Sequence, residues 1–292
     1  MKIRHAMLAA AAAALLGSPA LAQSPTWNKP TEPFHIIDNV YYVGTEGLAA
    51  YLFRTHGGLI LIDGATAEGA PMIEANIAKL GFKVSDIKIL LNSHAHYDHS
   101  AGLAQLKKDS GATLQAMEGD VSALEGGFYL GSESVKAMSA PPVKVDKVLH
   151  DGDKVTLGDF TLTANLTPGH TRGCTSWGWT ATDKAAEKTY NGLIFCSATV
   201  AANRITPPLQ YDGIIADYRK TFVKAKAMKV DIPLAPHPEF FGELQKAAKA
   251  KADPNAPNPF IAPAEFKPFI EKAEADFEKT LKERTEAAAK PQ

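Results

Sequence analysis

The sequence has little that would point to a nucleic-acid-binding, membrane-spanning or disulfide-rich protein. Its 31 Lys and Arg residues are balanced by 32 Asp and Glu residues, so there is no basic excess to attract a polyanion or an anionic membrane. No apolar run reaches the ~20 residues that would cross a bilayer. The only two cysteines are Cys174 and Cys196, which allow one intrachain disulfide bond at most. The chain as a whole has 45% hydrophobic and 22% charged residues, which is an ordinary globular composition.

The first residues have the pattern of a secretory signal peptide. A basic start, Met1–Arg4, precedes an apolar run at Met7–Leu16 and the small-x-small sequence Ala20–Ala22, after which a signal peptidase would cut. We therefore expect residues 1–22 to be removed and the mature protein to be a soluble periplasmic one without a membrane anchor. A helical N-terminal arm is the alternative interpretation of this segment.

Three imidazoles and one carboxylate occur within six residues, and this density organises the rest of the chain. They belong to Asn92–His99, directly after the apolar run Ile87–Leu91, which reads as a buried strand. Ligands in open α/β sheets lie at such strand ends. In an extended turn His94 and His96 project to the same side and can share one metal ion, whereas Asp98 and His99 (one pleat later) suit a second ion. A surface loop that happens to be rich in histidine is the alternative.

Two further histidines follow predicted strands. His170 stands in Thr167–Thr171 behind a Pro-Gly turn, and His237 lies between two prolines in Ala235–Glu239. Prolines restrict the residues before them to extended conformations, so His237 is held in a fixed loop. Neutral imidazole is a good zinc ligand and carboxylate also serves. Three separate strand ends thus deliver five histidines and one aspartate, which favours a single metal centre.

Asp63 closes another apolar strand, just before Gly64. It is interpreted either as a turn former or as a carboxylate that orients the histidine loop, because metal-bound histidines commonly need such a partner.

The pattern of apolar residues predicts two halves, each made of strands followed by a helix, and one domain over residues 23–292. Strands are expected at 40–43, 49–54, 59–63, 87–91, 113–116, 147–149, 154–157, 160–165, 173–180, 190–195 and 231–234, and helices at 68–79, 100–108, 217–228 and 263–288. Such an order suits a sandwich of two sheets with helices outside. The Gly- and Ser-containing stretch Ser122–Pro142 has no apolar period, so we expect an irregular segment or a mobile flap.

The combination of these motifs resembles the metallo-β-lactamase superfamily and, more closely, its subclass B3. The resemblance runs from about Trp27 to His237 and includes the His-x-His-x-Asp-His motif. It implies an αββα sandwich with the site at one edge and two zinc ions per chain. By this resemblance the first zinc is bound by His94, His96 and His170, and the second by Asp98, His99 and His237. By the same resemblance, His94, His96, Asp98 and His170 would also take part in catalysis.

The residues after the predicted strand that ends at Phe195 indicate which group of the superfamily this chain resembles most. Superfamily thioesterases carry a bridging aspartate there, B1 lactamases a zinc-binding cysteine, and B3 members a serine, which is Ser197 in this chain. Ser197 and Thr199 would then contact the carboxylate of the substrate. Two residues depart from the pattern: Cys196 replaces an aspartate of many members, and Asn203 stands near a substrate-contacting tyrosine of some. Asn203 could still donate a hydrogen bond to an oxyanion.

The resemblance implies an exported zinc-dependent β-lactamase that opens the β-lactam amide with a zinc-bound hydroxide and confers antibiotic resistance. We expect a monomer whose partner is the small β-lactam alone, with no nucleic acid. Another exported hydrolase of this fold, acting on a lactone, thioester or phosphodiester, is the main alternative; a zinc-storage protein is a lesser one, because three ligands per zinc leave open positions. A serine β-lactamase is rejected: Ser85–Lys88 fits S-x-x-K, but the companion motifs are absent.

The two cysteines are expected to form a disulfide bond. Cys174 follows the His170 turn and Cys196 precedes Ser197, so the bond can form if their strands are neighbours, and export supplies an oxidising compartment. The alternative is a free Cys196 thiol near the metal ions.

Overall fold

The computed structural model describes residues 24–183 and 187–290. The predicted signal peptide at residues 1–22 lies outside this part of the chain. Among the described helices, none combines the length and the apolar character that a bilayer crossing requires.

The first half of the chain forms a seven-stranded sheet whose spatial order follows the sequence. Its strands are β1 (Phe34–Ile37), β2 (Val40–Tyr42), β3 (Tyr51–Thr55), β4 (Gly58–Ile62), β5 (Ile87–Leu91), β6 (Thr113–Met117) and β7 (Lys147–Leu149). The strands from β1 to β4 are antiparallel neighbours, and those from β4 to β7 are parallel. Parallel strands are buried on both faces, which explains the continuous apolar runs that end at Ile62 and Leu91.

The second half forms a five-stranded sheet. Its strands are β8 (Lys154–Leu157), β9 (Phe160–Leu166), β10 (Thr175–Asp183), β11 (Lys188–Ile194) and β12 (Ile232–Leu234), in the spatial order β12-β11-β10-β9-β8. Among the described strand pairs of this sheet, only β11 and β12 are parallel. Because a parallel pair needs a crossover, the chain leaves the sheet after β11 and returns at β12 through a helix.

Seven α-helices are found in the described residues: α1 (Ala70–Lys79), α2 (Tyr97–Ser100), α3 (Leu103–Ser110), α4 (Glu118–Gly126), α5 (Ile214–Ala227), α6 (Glu243–Ala252) and α7 (Phe266–Ala288). Short 3₁₀ turns occur at Val84–Asp86, Lys136–Met138 and Pro238–Phe240.

Three buried clusters place the sheets face to face and the helices outside. The central cluster contains side chains of both sheets, among them Tyr51 and Trp177. A second cluster packs α1 and α3 on the outer face of the larger sheet, for example through Ile73 and Leu106. A third packs α5 and α7 against the smaller sheet. The architecture is therefore the expected αββα sandwich.

Three local predictions differ from the structure. The supposedly irregular stretch Ser122–Pro142 begins inside α4, which buries only Asp120, Ala123 and Leu124 and so has no clear apolar stripe. Helix α6 was not predicted because its buried residues are the charged Glu243 and Lys246. Strand β1 was missed because it is a short edge strand, which needs little apolar alternation.

Candidate metal centre

Three strand ends bring the predicted ligands to one edge of the sandwich. His94 and His96 lie in the turn between β5 and α2, and Asp98 and His99 lie in the first turn of α2 itself. His170 follows β9, and His237 follows β12. Strand ends are fixed by the packing of the sheet behind them, so these side chains are held without any long flexible loop.

The three histidines predicted for the first metal ion form one compact group. Their ligand nitrogens all lie within 4.8 Å of one another, and the three rings are arranged edge to face. The Nε2 atoms of His94 and His170 are 3.2 Å apart. The Nδ1 atom of His170 lies 2.7 Å from the Thr199 carbonyl oxygen, to which it donates, so the Nε2 atom of His170 keeps a free lone pair.

The second predicted set is also brought together. The Nε2 atom of His99 lies 3.2 Å from Nε2 of His237 and 3.2 Å from Oδ2 of Asp98. Asp98 Oδ2 is 3.5 Å from Nε2 of His237. His94 also approaches this set, because it forms a compact group of possible ligands with Asp98 and His99. The two metal groups are thus adjacent.

Burial keeps most of these imidazoles neutral at neutral pH. It lowers the pKa of His94 and of His96 well below the usual value, that of His170 to about 4 and that of His237 to about 3. A neutral imidazole offers the lone pair that a metal ion needs.

In the Asp98–His99 pair, the interaction between the two side chains outweighs the effect of burial on their pKa values. Burial would raise the pKa of Asp98, but the neighbouring His99 holds it below the usual value. Burial likewise would lower the pKa of His99, which Asp98 instead raises.

The donor set fits a divalent cation such as zinc. Neutral nitrogens that face each other at 3.2 Å, as in the His94–His170 pair, are poorly satisfied unless a proton or a cation lies between them. The outer nitrogens have partners, since Nδ1 of His94 lies 3.0 Å from the Ser93 hydroxyl and His170 binds Thr199. Such outer contacts orient metal-binding histidines.

Asp63 lies under the histidine turn, as one of its two predicted roles requires. Its buried carboxylate accepts hydrogen bonds from the Asn92 amide at 2.9 Å and from the Ser93 backbone at 2.6 Å. Its other oxygen is 3.9 Å from Nδ1 of His99. The carboxylate therefore fixes the start of the turn that carries the ligands.

Asp120 makes a similar connection that the sequence did not reveal. This fully buried carboxylate accepts hydrogen bonds from the backbone of Ala95 at 3.0 Å, from the Thr171 hydroxyl at 2.8 Å and from the backbone of Gly173 at 2.8 Å. It therefore ties the His94–His96 turn to the His170 turn. An acid that follows a parallel strand, here β6, was the available signal, as it was for Asp63.

The two predicted substrate-contacting hydroxyls lie beside the first histidine group. Ser197 is buried and its Oγ is 3.3 Å from Oγ1 of the exposed Thr199. The Oγ1 atom of Thr199 is in turn 3.3 Å from Nδ1 of His170.

The Asn203 side chain is hydrogen-bonded within the protein. Its amide donates to the His170 carbonyl oxygen at 2.9 Å and to the Tyr218 hydroxyl at 3.1 Å, so both N–H groups are used within the protein. Its oxygen accepts a hydrogen bond from Tyr129 at 2.8 Å. Since Asn203 is buried, these bonds make it a support of the His170 turn, and its hydrogen bond to a substrate oxyanion stays a prediction.

Tyr129 is a second residue that the sequence did not single out. Its ring stacks on His96 with centroids 4.2 Å apart and planes at 12°. Together with its bond to Asn203, this contact connects two ligands of the first group. Tyr129 lies in the stretch that was expected to be irregular.

The predicted disulfide bond between Cys174 and Cys196 is confirmed, with Cα atoms 5.8 Å apart. The alternative of a free Cys196 thiol is therefore wrong. The Sγ atom of Cys196 lies 3.7 Å from Nδ1 of His94, so the disulfide bond packs directly behind the first histidine group.

Comparison with known proteins gives one matching family model and several similar solved structures. The family model of the metallo-β-lactamase superfamily matches residues 44–181. The solved structure of BJP-1, a subclass B3 metallo-β-lactamase of Bradyrhizobium japonicum, is 51% identical and superposes with a TM-score of 0.87, over 90% of this chain and 98% of that one. The FEZ-1 metallo-β-lactamase from Legionella gormanii is 40% identical with a TM-score of 0.82, over 88% and 98%.

Curated relatives are more distant and match a smaller part. A hydroxyacylglutathione hydrolase of Rhodospirillum rubrum is 29% identical over 50% of this chain and 44% of its own length. An acyl-coenzyme A thioesterase of Gallus gallus is 31% identical over 28% of this chain and 33% of its length. The chain therefore matches less than half the length of these curated relatives.

Proposed function

Because this chain belongs to the subclass B3 metallo-β-lactamases, we propose that it is an exported enzyme that hydrolyses the amide of β-lactam antibiotics with two zinc ions. One observation carries the choice of substrate within the superfamily: β11 is followed by a serine, Ser197, beside the first histidine group. A thioesterase of the superfamily would be expected to place a bridging carboxylate there.

His94, His96 and His170 would hold the first zinc, and Asp98, His99 and His237 the second. When bound, the two ions supply Lewis acidity, which generates a nucleophile from water at neutral pH and stabilises developing negative charge. The side chains have to present neutral imidazoles and one ionised carboxylate. Burial favours the neutral form of His94 by lowering its pKa, and the contact with His99 favours the ionised form of Asp98 by lowering its pKa against the effect of burial. Asp98 would also help to orient the attacking water, because its contact with His99 keeps its pKa low and its carboxylate ionised.

Ser197 and Thr199 would bind the carboxylate that β-lactams carry next to the ring nitrogen. The Thr199 hydroxyl is exposed and the Ser197 hydroxyl lies next to it, so the two can donate to the same anion. Bonds of this type position the substrate, and no side chain becomes acylated in this scheme. Intact mass of the protein quenched at steady state should therefore show no substrate-sized adduct.

The proposal also covers the export, the oligomeric state and the biological effect of the protein. We propose that residues 1–22 are a signal peptide, that the mature periplasmic protein is a monomer with one domain over residues 23–292, and that its activity gives resistance to β-lactams. N-terminal sequencing of the protein from a periplasmic extract, and its mass in solution, test these points.

One assay tests the function directly. Purified mature protein is mixed with a penicillin, a cephalosporin, a carbapenem, a lactone and a glutathione thioester, with and without a chelator. We expect β-lactam hydrolysis that the chelator abolishes and added zinc restores. Undiminished hydrolysis after complete zinc removal, or no turnover of any β-lactam by the zinc-loaded protein, would contradict the proposal.

The second candidate is a glutathione thioesterase, which the hydroxyacylglutathione hydrolase relatives favour. It predicts that the thioester is cleaved faster than every β-lactam in the same panel.

A further inference from the structure

Outside the metal groups, a carboxyl group and a phenol are buried together under the loop that carries His237. Glu243, the first residue of α6, and Tyr51, the first residue of β3, are both fully buried. The Tyr51 hydroxyl lies 2.8 Å from each carboxyl oxygen of Glu243 and 2.6 Å from the Ala235 carbonyl oxygen. The Ala235 backbone N–H donates to Oε1 of Glu243 at 3.0 Å.

Counting hydrogen atoms shows which form of Glu243 fits these contacts. The Tyr51 hydroxyl has a single hydrogen, and the Ala235 carbonyl oxygen can only accept. If Glu243 were ionised, that one hydrogen would serve three close oxygen pairs around the Tyr51 oxygen, and two of the pairs would have none. A protonated carboxyl supplies a second hydrogen and leaves only one pair without: Oε2 donates to Tyr51, Tyr51 donates to Ala235, and Oε1 accepts from the Ala235 N–H.

The surroundings favour the same form. Burial raises the pKa of Glu243 to about 8, although Lys246 and the contacts with Ala235 and Tyr51 act in the opposite direction, and Glu239 adds to the increase. The Lys246 ammonium is itself paired with Glu265 at 2.5 Å. The buried Tyr42 phenol of β2 also interacts with the Glu243 carboxyl.

Both polar groups of the Ala235 backbone are thus held two residues before His237. The next peptide is fixed as well, because the backbone N–H of Ala49 donates to the Pro236 carbonyl oxygen at 2.8 Å. We propose that Tyr51 and a protonated Glu243 are positioning residues that set the loop of His237 and thereby the zinc affinity of the second metal group. This inference rests on the proposed assignment of His237 to that group.

The first test measures zinc binding by the mature protein in competition with a chromophoric chelator. For Glu243→Leu and Tyr51→Phe we expect second-zinc affinity to fall by about 10- to 100-fold, the usual effect of removing a residue that supports a metal ligand, with first-zinc affinity unchanged. Glu243→Gln can donate to Tyr51 and accept from Ala235, so it should stay within about threefold of the wild type. Glu265→Gln, at the other side of Lys246, is the control and should leave both affinities unchanged.

Equal weakening of both zinc sites would indicate a merely structural role and overturn the proposal, as would a Glu243→Gln variant no better than Glu243→Leu. If Glu243→Leu does not fold, Tyr51→Phe gives the same comparison with a smaller change. Failure of the proposed function is recognised separately, because it would appear as absent β-lactam turnover in a wild-type protein that still binds two zinc ions.

The second test uses the pH dependence of stability. The folded protein keeps the Glu243 proton up to about pH 8, whereas the unfolded chain releases it near the usual value of 4.5. Folding therefore takes up a proton between these values, and the wild type loses stability as pH rises through this window. Zinc-loaded Glu243→Gln lacks this loss, so its Tm relative to the wild type should increase from pH 4.5 to 8 and then level off. A difference that does not change with pH would overturn the protonated form.

Discussion

The Nε2 atoms of His94 and His170 lie 3.2 Å apart although 76 positions separate these residues in the chain. The first comes from a parallel strand of the seven-stranded sheet and the second from an antiparallel strand of the other sheet. His170→Ala should therefore reduce the affinity for the first zinc by at least about 100-fold, since it removes a ligand and not merely its support. Metal counting after dialysis measures this. Retention of two zinc ions and full activity would contradict the first-site assignment.

The second metal group should respond independently. Asp98→Asn and His237→Ala each remove one of its proposed ligands, which lie 3.5 Å from each other, and should leave about one zinc per chain. Neither substitution changes the three histidines of the first group, so the zinc ion bound there should remain. Metal counting and titration with a chelator check the result, and His56→Ala, an exposed histidine far from the cluster in sequence, serves as the control.

Asp120→Asn should destabilise the protein and loosen the first metal group. The new amide would present N–H groups to donors that now bind a carboxylate, those of Ala95, Thr171 and Gly173. A buried hydrogen bond that is lost costs about 1–3 kcal/mol, so we expect a free energy of unfolding lower by about 2 kcal/mol or more. Denaturant titration measures it. The matched control is Asp212→Asn, at an exposed position, which should change stability by less than ~0.5 kcal/mol.

Ser197→Ala should affect binding more than turnover. If the hydroxyl donates one hydrogen bond to the substrate carboxylate, its loss costs roughly 1–1.5 kcal/mol, or about a five- to tenfold increase in KM. The kcat should change less, because the bond exists in both the bound substrate and the transition state. Steady-state kinetics with one cephalosporin decide this. A fall in kcat with unchanged KM would place Ser197 in the chemical step instead.

Removal of the Cys174–Cys196 disulfide bond should lower stability. It closes a loop with a sequence separation of 22, and the chain-entropy argument gives about 3 kcal/mol for a loop of this size. The double variant Cys174→Ser and Cys196→Ser tests this by denaturant titration. A separate measurement on the denatured, unreduced wild type should find no free thiol, and two thiols per chain would show that the bond does not form in solution.

The sequence predicted which histidines and which aspartate the fold brings together, because such side chains are rare directly after buried strands. Imidazoles and a carboxylate directly after the apolar strand that ends at Leu91 had few structural explanations, and the two prolines around His237 left little conformational freedom. The sandwich followed from the same patterns, since apolar periodicity reports which faces are buried.

What the sequence did not predict depends on contacts between distant parts of the chain. Asp120, Tyr129 and Glu243 have ordinary sequence neighbours, and their importance arises from partners 25 to 192 positions away. Asn203 shows the converse case: its residue type suggested a donor for substrate, but the direction of its amide is decided by His170 and Tyr218. Composition and periodicity carry no information on such directions.

The order of the strands has a consequence for the unfolding of the protein. The seven-stranded sheet ends at Leu149 and the five-stranded sheet begins at Lys154, whereas the disulfide bond lies wholly within the second half. Each metal group, by contrast, takes ligands from both halves. A cation in either group would act as a cross-link between the two sheets, so zinc depletion should reduce the cooperativity of unfolding and not only the midpoint.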